Sequence, residues 1–370
     1  MILTENEQKG CWIGRIWREG VGPSVVTLRN GHVFDITNRD APTVRDVLER
    51  SDAAAYVRNV TGEALGPVDG FNELLAPADF QAIKACGVTF AGSMVERVIE
   101  EQAGGDPAKA EDIRARIRPQ LGETLASIVP GSDAAAKVKA AFIEEGLWSQ
   151  YLEVGIGPYA EVFSKAQVLS SVGHGADVGL HPISNWNNPE PEVVLAVNSS
   201  GVIQGACLGN DVNLRDVEGL SALLLSKAKD NNASCAIGPM IRLLDETYTL
   251  DDVRSAELTL KVVGEDGFVL DGHSSMSEIS RDPTELVRQT IGRFHQYPDG
   301  FMLFLGTLFA PTMDRDTPGE GFTHKLGDMV TISCPGLGQL TNRVQLSTDC
   351  PEWTFGVTDF MRNLAGRGFI

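Results

Sequence analysis

Pro189-Glu190-Pro191-Glu192-Val193-Val194-Leu195-Ala196-Val197, then Asn198-Ser199-Ser200-Gly201, then Val202 through Leu208 and Gly209-Asn210-Asp211 read as one unit. The apolar run Val193 to Val197 predicts a strand and Val202 to Leu208 its return, with a hairpin signal between them. Side chains alternate along a strand, so Glu190 and Glu192 share a face. An even loop places Asp211 opposite that pair on the same face; an odd loop without a bulge sends it to the other side. Three carboxylates converging from one hairpin repel one another unless a cation sits between them. Oxygen ligands suit a hard ion, Mg²⁺ or Mn²⁺, more than zinc. A bare Glu-x-Glu is more often the solvated face of a strand. Here prolines that cannot donate to a central ladder flank the acids, and Asp211 follows Gly-Asn at a strand end, which favours the cation.

The whole chain has 370 residues, 42% hydrophobic and 22% charged, as expected of a globular protein with one large or two modest domains. A net charge of -19 disfavours nucleic acid and anionic membrane surfaces as partners. An anionic substrate then needs a local positive centre. Six scattered cysteines without a Cys-x-x-Cys pair read as reduced thiols. Met1 to Glu7 has neither a basic nor an apolar leader region, and no run reaches transmembrane length, so the expected location is cytoplasmic.

Trp12 to Trp17 and Val25 to Leu28 predict short strands, Asn30-Gly31 a tight turn, and Thr43-Val44-Arg45-Asp46 a helix start through Leu48. The expected organisation is α+β, with a small N-terminal α+β domain over 1–75 and a catalytic domain over 76–370. Within the latter, about 94–148 is helical in pattern, from Met94 to Glu101 and Ala108 to Glu145, and about 150–370 is β-rich. Gly155-Ile156-Gly157 lacks the third glycine and following helix of a phosphate loop. His273, His295 and His324 form no ligand spacing and read as structural or surface residues. Trp186 and Phe163 read as packing.

Taken together, these segments resemble the fumarylacetoacetate hydrolase superfamily over about residues 76–370. The Glu-x-Glu and following Asp carry the likeness, with Ser226-Lys227-Ala228-Lys229 through Cys235, Pro158-Tyr159-Ala160-Glu161-Val162-Phe163-Ser164-Lys165, Leu305-Gly306-Thr307, and Gly327 to Asn342. The resemblance implies a rolled, mixed β-sheet, a cation held by Glu190, Glu192 and Asp211, and Lys229 rather than Lys227 as the family lysine. It also implies a homodimer or homotetramer.

Hydrolases of this superfamily place a histidine near the metal to activate water. At the two comparable positions this chain has Ser93 and Val168, which counts against hydrolytic cleavage. The resemblance is strongest to the dehydratases of 2-keto-3-deoxy sugar acids, in particular of 2-keto-3-deoxy-D-pentonates (the xylonate and arabinonate). It implies loss of water to give 2,5-dioxopentanoate in pentose degradation. Glu161 is then the candidate base and acid, Lys229 the group that stabilises an enolate oxygen, and Lys165, Thr307 and Ser93 candidate substrate contacts. Taken singly, Lys229 reads as the end of a helix running from Arg215, Lys165 as a solvated strand residue and Glu161 as an exposed loop acid. Two alternatives remain open: hydrolysis or decarboxylation of a β-keto or diketo acid, and a metal-dependent binding protein without turnover.

Overall fold

The computed structural model describes residues 2–370 except Ser127, Glu145, Leu147, 310–312, Thr317 and Glu320; side chains of 117–124 and Ala126 are also outside the description. The chain opens with β1 (Trp12–Arg18), β2 (Gly22–Arg29), β3 (His32–Asp35), α1 (Val44–Leu48), α2 (Ala53–Asn59), β4 (Glu63–Pro67) and β5 (Ala82–Gly87). A helical segment follows: α3 (Ala91–Ala103), α4 (Pro107–Ala126), α5 (Asp133–Glu144) and α6 (Gln150–Ile156). Next come β6 (Glu161–Ala166), β7 (Asp177–Leu180), β8 (Asn187–Asn188), β9 (Pro191–Val197), β10 (Ile203–Asp211), β11 (Asn213–Leu214), α7 (Arg215–Glu218) and α8 (Leu225–Lys229). The remainder is β12 (Cys235–Leu243), α9 (Leu250–Arg254), β13 (Glu257–Val263), β14 (Val269–Ser275), α10 (Pro283–Thr290), β15 (Phe301–Phe304), β16 (Met329–Cys334), β17 (Gly338–Leu346) and α11 (Val357–Gly366).

The expected early strands, the Thr43-capped α1 and the helical segment are all present, although Ser127 and Glu145 of that segment lie outside the described residues. The expected single helix from Arg215 to Lys229 is instead two short helices, α7 and α8. Gly219 ends the first, and the Ser221 side chain caps the short turn Ala222–Leu224 that leads into the second.

Ten strands form one mixed sheet in the order β4-β3-β2-β1-β12-β10-β9-β15-β5-β6, and five more form a second, β14-β13-β16-β17-β7. β1 pairs with β12, so the N-terminal strands continue the sheet that carries the acidic hairpin. Every residue of β9 is buried, which explains why its apolar run does not alternate. Val193, Leu195 and Val197 enter a core shared with the five-stranded sheet, whereas Val194 and Ala196 face the α1–α2 side. Each such side chain contributes about 1.5–3 kcal/mol through burial. The helical segment has its own core, in which Met94, Val98 and Ile99 of α3 meet Leu152 and Ile156 of α6.

The hairpin resolves the parity question in an instructive way. Asn198 pairs with Val202 around an odd, three-residue turn, which alone would put Asp211 on the wrong face. The register then shifts by one residue between Ile203 and Gly205, and this bulge restores the alignment. Beyond it Glu192 pairs with Gly209 and the Asp211 N–H donates to the Glu190 carbonyl at 3.0 Å, so all three acids share one face.

Gly209 leaves room for the neighbouring core on that face. A Cβ there would lie 2.3 Å from the Phe304 ring and 2.5 Å from a Val194 methyl. Gly209→Ala should lower unfolding stability by about 1–3 kcal/mol through overpacking. Urea unfolding monitored by circular dichroism checks this; an unchanged midpoint would mean that the site has slack the structure does not show.

Candidate metal centre

Glu190, Glu192 and Asp211 each offer an oxygen within 4.8 Å of the others, and all three are buried. Glu190 precedes β9, Glu192 lies in it and Asp211 ends β10, so the ladder fixes their spacing. The Gly306 N–H donates to Glu192 Oε2 at 2.6 Å from the end of β15. Gly306 has φ +91°, and a Cβ would sit 2.0 Å from Thr89 Oγ1, so the close approach requires glycine. Burial pushes Glu192 well above the usual carboxylate range, and the charges of Asp211 and Glu190 push it further. The set of converging hard oxygens, and an acid whose charged form is this disfavoured without a counter-charge, fit a divalent cation.

Two lysines brace the cage. Lys229 Nζ donates to Glu190 Oε2 at 2.6 Å and Asp211 Oδ2 at 3.1 Å. Burial alone would lower its pKa, but the charges of Asp211, Glu190 and Glu218 outweigh burial and hold it well above the usual lysine value. Lys165 is fully buried; its Nζ lies 2.8 Å from Asp211 Oδ1 and donates to the carbonyls of Val212 and Lys229 at 3.2 and 2.5 Å. Burial raises Asp211, but Lys165 and Lys229 more than reverse this and bring it below the ordinary value. Lys165 is thus neither solvated nor exposed to the cavity; it stands behind Asp211 on the covered side of β6, while its neighbour Ser164 takes the exposed side.

The cage opens into a cavity of about 30 Å³ lined by Ser93, Arg97, Glu161, Phe163, Glu218 and Thr307, among others. Phe163, expected only to pack, is thus also a cavity wall. A second chamber of about 20 Å³ shares Ser93, Arg97, Glu190 and Thr307 with it and adds Asn188, Arg215 and Phe309. A larger hollow of about 530 Å³, between Glu5 and Arg58, lies away from the carboxylates and holds none of them. Among the described residues, no histidine lines the cage cavity. Trp186 is buried under the Arg215 guanidinium, 4.2 Å from its ring centroid, as packing.

Glu161 begins β6 opposite Gly87, half-buried at the cavity wall. A Cβ at position 87 would meet Glu161 Oε2 at 1.9 Å, so that glycine makes the space its carboxylate occupies. Burial, reinforced by Glu218, raises the Glu161 pKa to about 7. Ser93 donates to the Phe90 carbonyl at 2.8 Å, and Thr307 Oγ accepts the Phe309 N–H at 3.0 Å.

Two contributors carry no motif. Arg97 of α3 reaches Glu190 Oε1 at 2.5 Å, Glu100 Oε2 at 2.5 Å and Glu218 Oε2 at 3.0 Å. Glu218 of α7 is buried, and burial together with Glu190 and Glu100 raises its pKa despite Arg97. Neither has a sequence signal of its own, since each is one charged residue on a helix.

Residues 162–345 match the family described as fumarylacetoacetate (FAA) hydrolase, C-terminal. The chain carries a domain of this family. A 2-dehydro-3-deoxy-D-arabinonate dehydratase of Saccharolobus solfataricus is 32% identical over 185 residues, which span 50% of this chain and 58% of that protein. A Haloferax volcanii protein named "Probable 2-keto-3-deoxyxylonate dehydratase" is 29% identical over 201 residues, spanning 54% of this chain and 65% of its own. The matched stretches thus span less than two thirds of either relative. Among solved structures, a 2-keto-3-deoxy-D-arabinonate dehydratase in its apo form aligns with a TM-score of 0.64 at 23% identity, over 90% of this chain and 99% of that one. A structure of the same-named enzyme complexed with magnesium and 2,5-dioxopentanoate aligns with a TM-score of 0.62 at 22% identity, over 90% and 99%. The fold is therefore the fumarylacetoacetate hydrolase-like mixed roll. Among the described residues, no helix is long and apolar enough to cross a membrane.

Glu192→Gln keeps the shape and the Gly306 contact but removes a ligand charge. It should weaken Mg²⁺ binding at least about tenfold while leaving the thermal melt near wild type. Calorimetric titration checks this; unchanged affinity would remove Glu192 from the ligand set.

Proposed function

We propose that this chain is a Mg²⁺-dependent hydro-lyase that dehydrates a 2-keto-3-deoxy-D-pentonate to 2,5-dioxopentanoate, with Mn²⁺ able to replace Mg²⁺. One observation carries the reading: a buried three-carboxylate cage faces Lys229 and a high-pKa carboxyl, Glu161, in a cavity that no described histidine enters. The matched dehydratases, and the related structure titled with magnesium and 2,5-dioxopentanoate, support it.

Glu190, Glu192 and Asp211 would hold the cation. When bound, the cation supplies Lewis acidity toward the carboxylate and keto oxygens of a 2-keto acid and so acidifies its C3 protons. Glu161 takes a C3 proton onto a carboxylate oxygen. The Lys229 ammonium stabilises the negative charge that develops on the keto oxygen. The C4–O bond then breaks, a proton returned to the departing hydroxyl makes water, and C3 and C4 become doubly bonded. Proton transfer from C5 and return of a proton to C3 yield the enol of the C5 aldehyde, and ketonisation completes 2,5-dioxopentanoate without further loss of atoms. Thr307 and Ser93, which line the cavity, would contact the substrate. Lys165 acts indirectly, by fixing Asp211 and the backbone of Lys229.

Glu161 must be deprotonated to act, so kcat/KM should fall as pH drops through its pKa. That pKa is about 7 without the cation, and a nearby dication moves it lower. Glu161→Gln should abolish exchange of C3 hydrogen for deuterium, followed by NMR, with Mg²⁺ binding kept. Exchange at the wild-type rate would place the base elsewhere.

Incubation with Mg²⁺ and 2-keto-3-deoxy-D-xylonate tests the reaction itself. The proposal expects an aldehyde with all five carbons retained. Pyruvate or CO₂ would instead favour carbon–carbon cleavage, and binding without product would favour a non-catalytic role.

A further inference from the structure

Arg97 does not belong to the region that matches the family, yet its guanidinium sits at the mouth of the cage. It holds Glu190 Oε1 at 2.5 Å while Lys229 holds Glu190 Oε2 at 2.6 Å, so protein cations engage both oxygens of this ligand. A divalent ion placed among Glu190, Glu192 and Asp211 would face the Arg97 charge across a single carboxylate. The ion would compete with both protein cations for the charge of Glu190, and the less constrained of the two is the one placed to yield. Lys229 is bound into the wall, because it also donates to Asp211 and its own carbonyl is gripped by Lys165 and Ser234. Arg97 is less constrained: it enters from α3, lines both chambers and is the more exposed of the two, at 13% against 3% for the side chains.

Arg97 also has somewhere to remain anchored. Glu100 and Glu218 bind its other nitrogen at 2.5 and 3.0 Å, so it can release Glu190 without being left buried and unpaired. Glu100 is itself fixed by Arg215 Nε at 2.7 Å. The freed edge of the guanidinium then faces the shared space of the two chambers, where its planar fork suits a carboxylate. The small chamber volumes point the same way, since a five-carbon acid enters only if a lining side chain gives ground.

We propose that Arg97 is a positioning residue that stands in for the cation at Glu190, competes with it, and on displacement turns to the carboxylate of the bound 2-oxo acid. This rests on the cation-dependent 2-oxo acid reading above and adds a coupling between the two ligands: cation binding creates the anion site.

The test is calorimetric and needs no turnover. Metal-stripped wild type, Arg97→Met and Arg97→Lys are titrated with Mg²⁺ alone, and the Mg²⁺-loaded proteins are then titrated with 2-oxopentanoate, a five-carbon 2-oxo acid without a hydroxyl to lose. Arg97→Met should bind Mg²⁺ at least fivefold more tightly than wild type, because a competitor and a like charge are gone. Once loaded, it should bind 2-oxopentanoate at least tenfold more weakly. A purely structural arginine predicts unchanged or weaker Mg²⁺ binding, and that result would overturn the proposal, as would retained 2-oxopentanoate affinity. Arg97→Lys keeps the charge beside Glu100 and Glu218 and guards against misfolding; it should shift both affinities in the same directions by a smaller factor, and wild-type values for both would also overturn the proposal. If wild type itself binds no Mg²⁺, the cation reading falls and this proposal with it; if wild type binds and the variants match it, only the role of Arg97 falls.

Discussion

The oxygens of Glu190, Glu192 and Asp211 approach within 4.8 Å of one another with almost no access to water. Two like unit charges roughly 4 Å apart repel by about 4 kcal/mol at an effective dielectric near 20. No single hairpin can hold three such groups against that repulsion without positive charge, and the surrounding structure supplies it from several directions. Lys165 comes from β6, Lys229 from the end of α8 and Arg97 from α3. The unbalanced charge weighs most on Glu192, whose pKa burial raises and the charges of Asp211 and Glu190 raise further.

Two parts of the chain meet at this point. The family-matched region, 162–345, holds the three carboxylates, both lysines, Glu218 and Thr307. Ser93, Arg97 and Glu161 come from before it, at the edge of the helical segment and its exit into the sheet. The cage is thus built on paired strands, whose hydrogen bonds fix ligand spacing, while the cavity-facing Ser93 and Arg97 come from the helix α3 and Glu161 from the start of the edge strand β6. This division suits a site in which a rigid cation seat serves a substrate that must enter and leave.

How much of this was legible in the sequence depends on how local the cause is. The acidic hairpin could be read because strand alternation and turn chemistry act over a few residues. Even there, parity left the face of Asp211 open, and only the bulge between Ile203 and Gly205 decides it. The glycine at 306 was legible as part of a Gly-Thr pair, but its role as donor to Glu192 was not. Lys165 misled because alternation does not say which side of an edge strand is wet: Ser164 takes the exposed side, and Lys165 points inward to Asp211. Arg97 and Glu218 were missed because each is one charged residue on a helix; Arg97 lies 93 positions from Glu190 and 121 from Glu218, and nothing local records those contacts. The continuity of β1 with β12 is equally non-local, since more than two hundred residues separate strands that share a ladder.

The central claim is that this acidic hairpin is a cation seat. Crystals of the protein grown with Mn²⁺ and measured across the manganese absorption edge test it most directly. The account predicts one strong anomalous peak with oxygens of Glu190, Glu192 and Asp211 at about 2 Å from it. A map with no peak at the cage, or with its strongest peak on other side chains while the three carboxylates stay as they are, would contradict it.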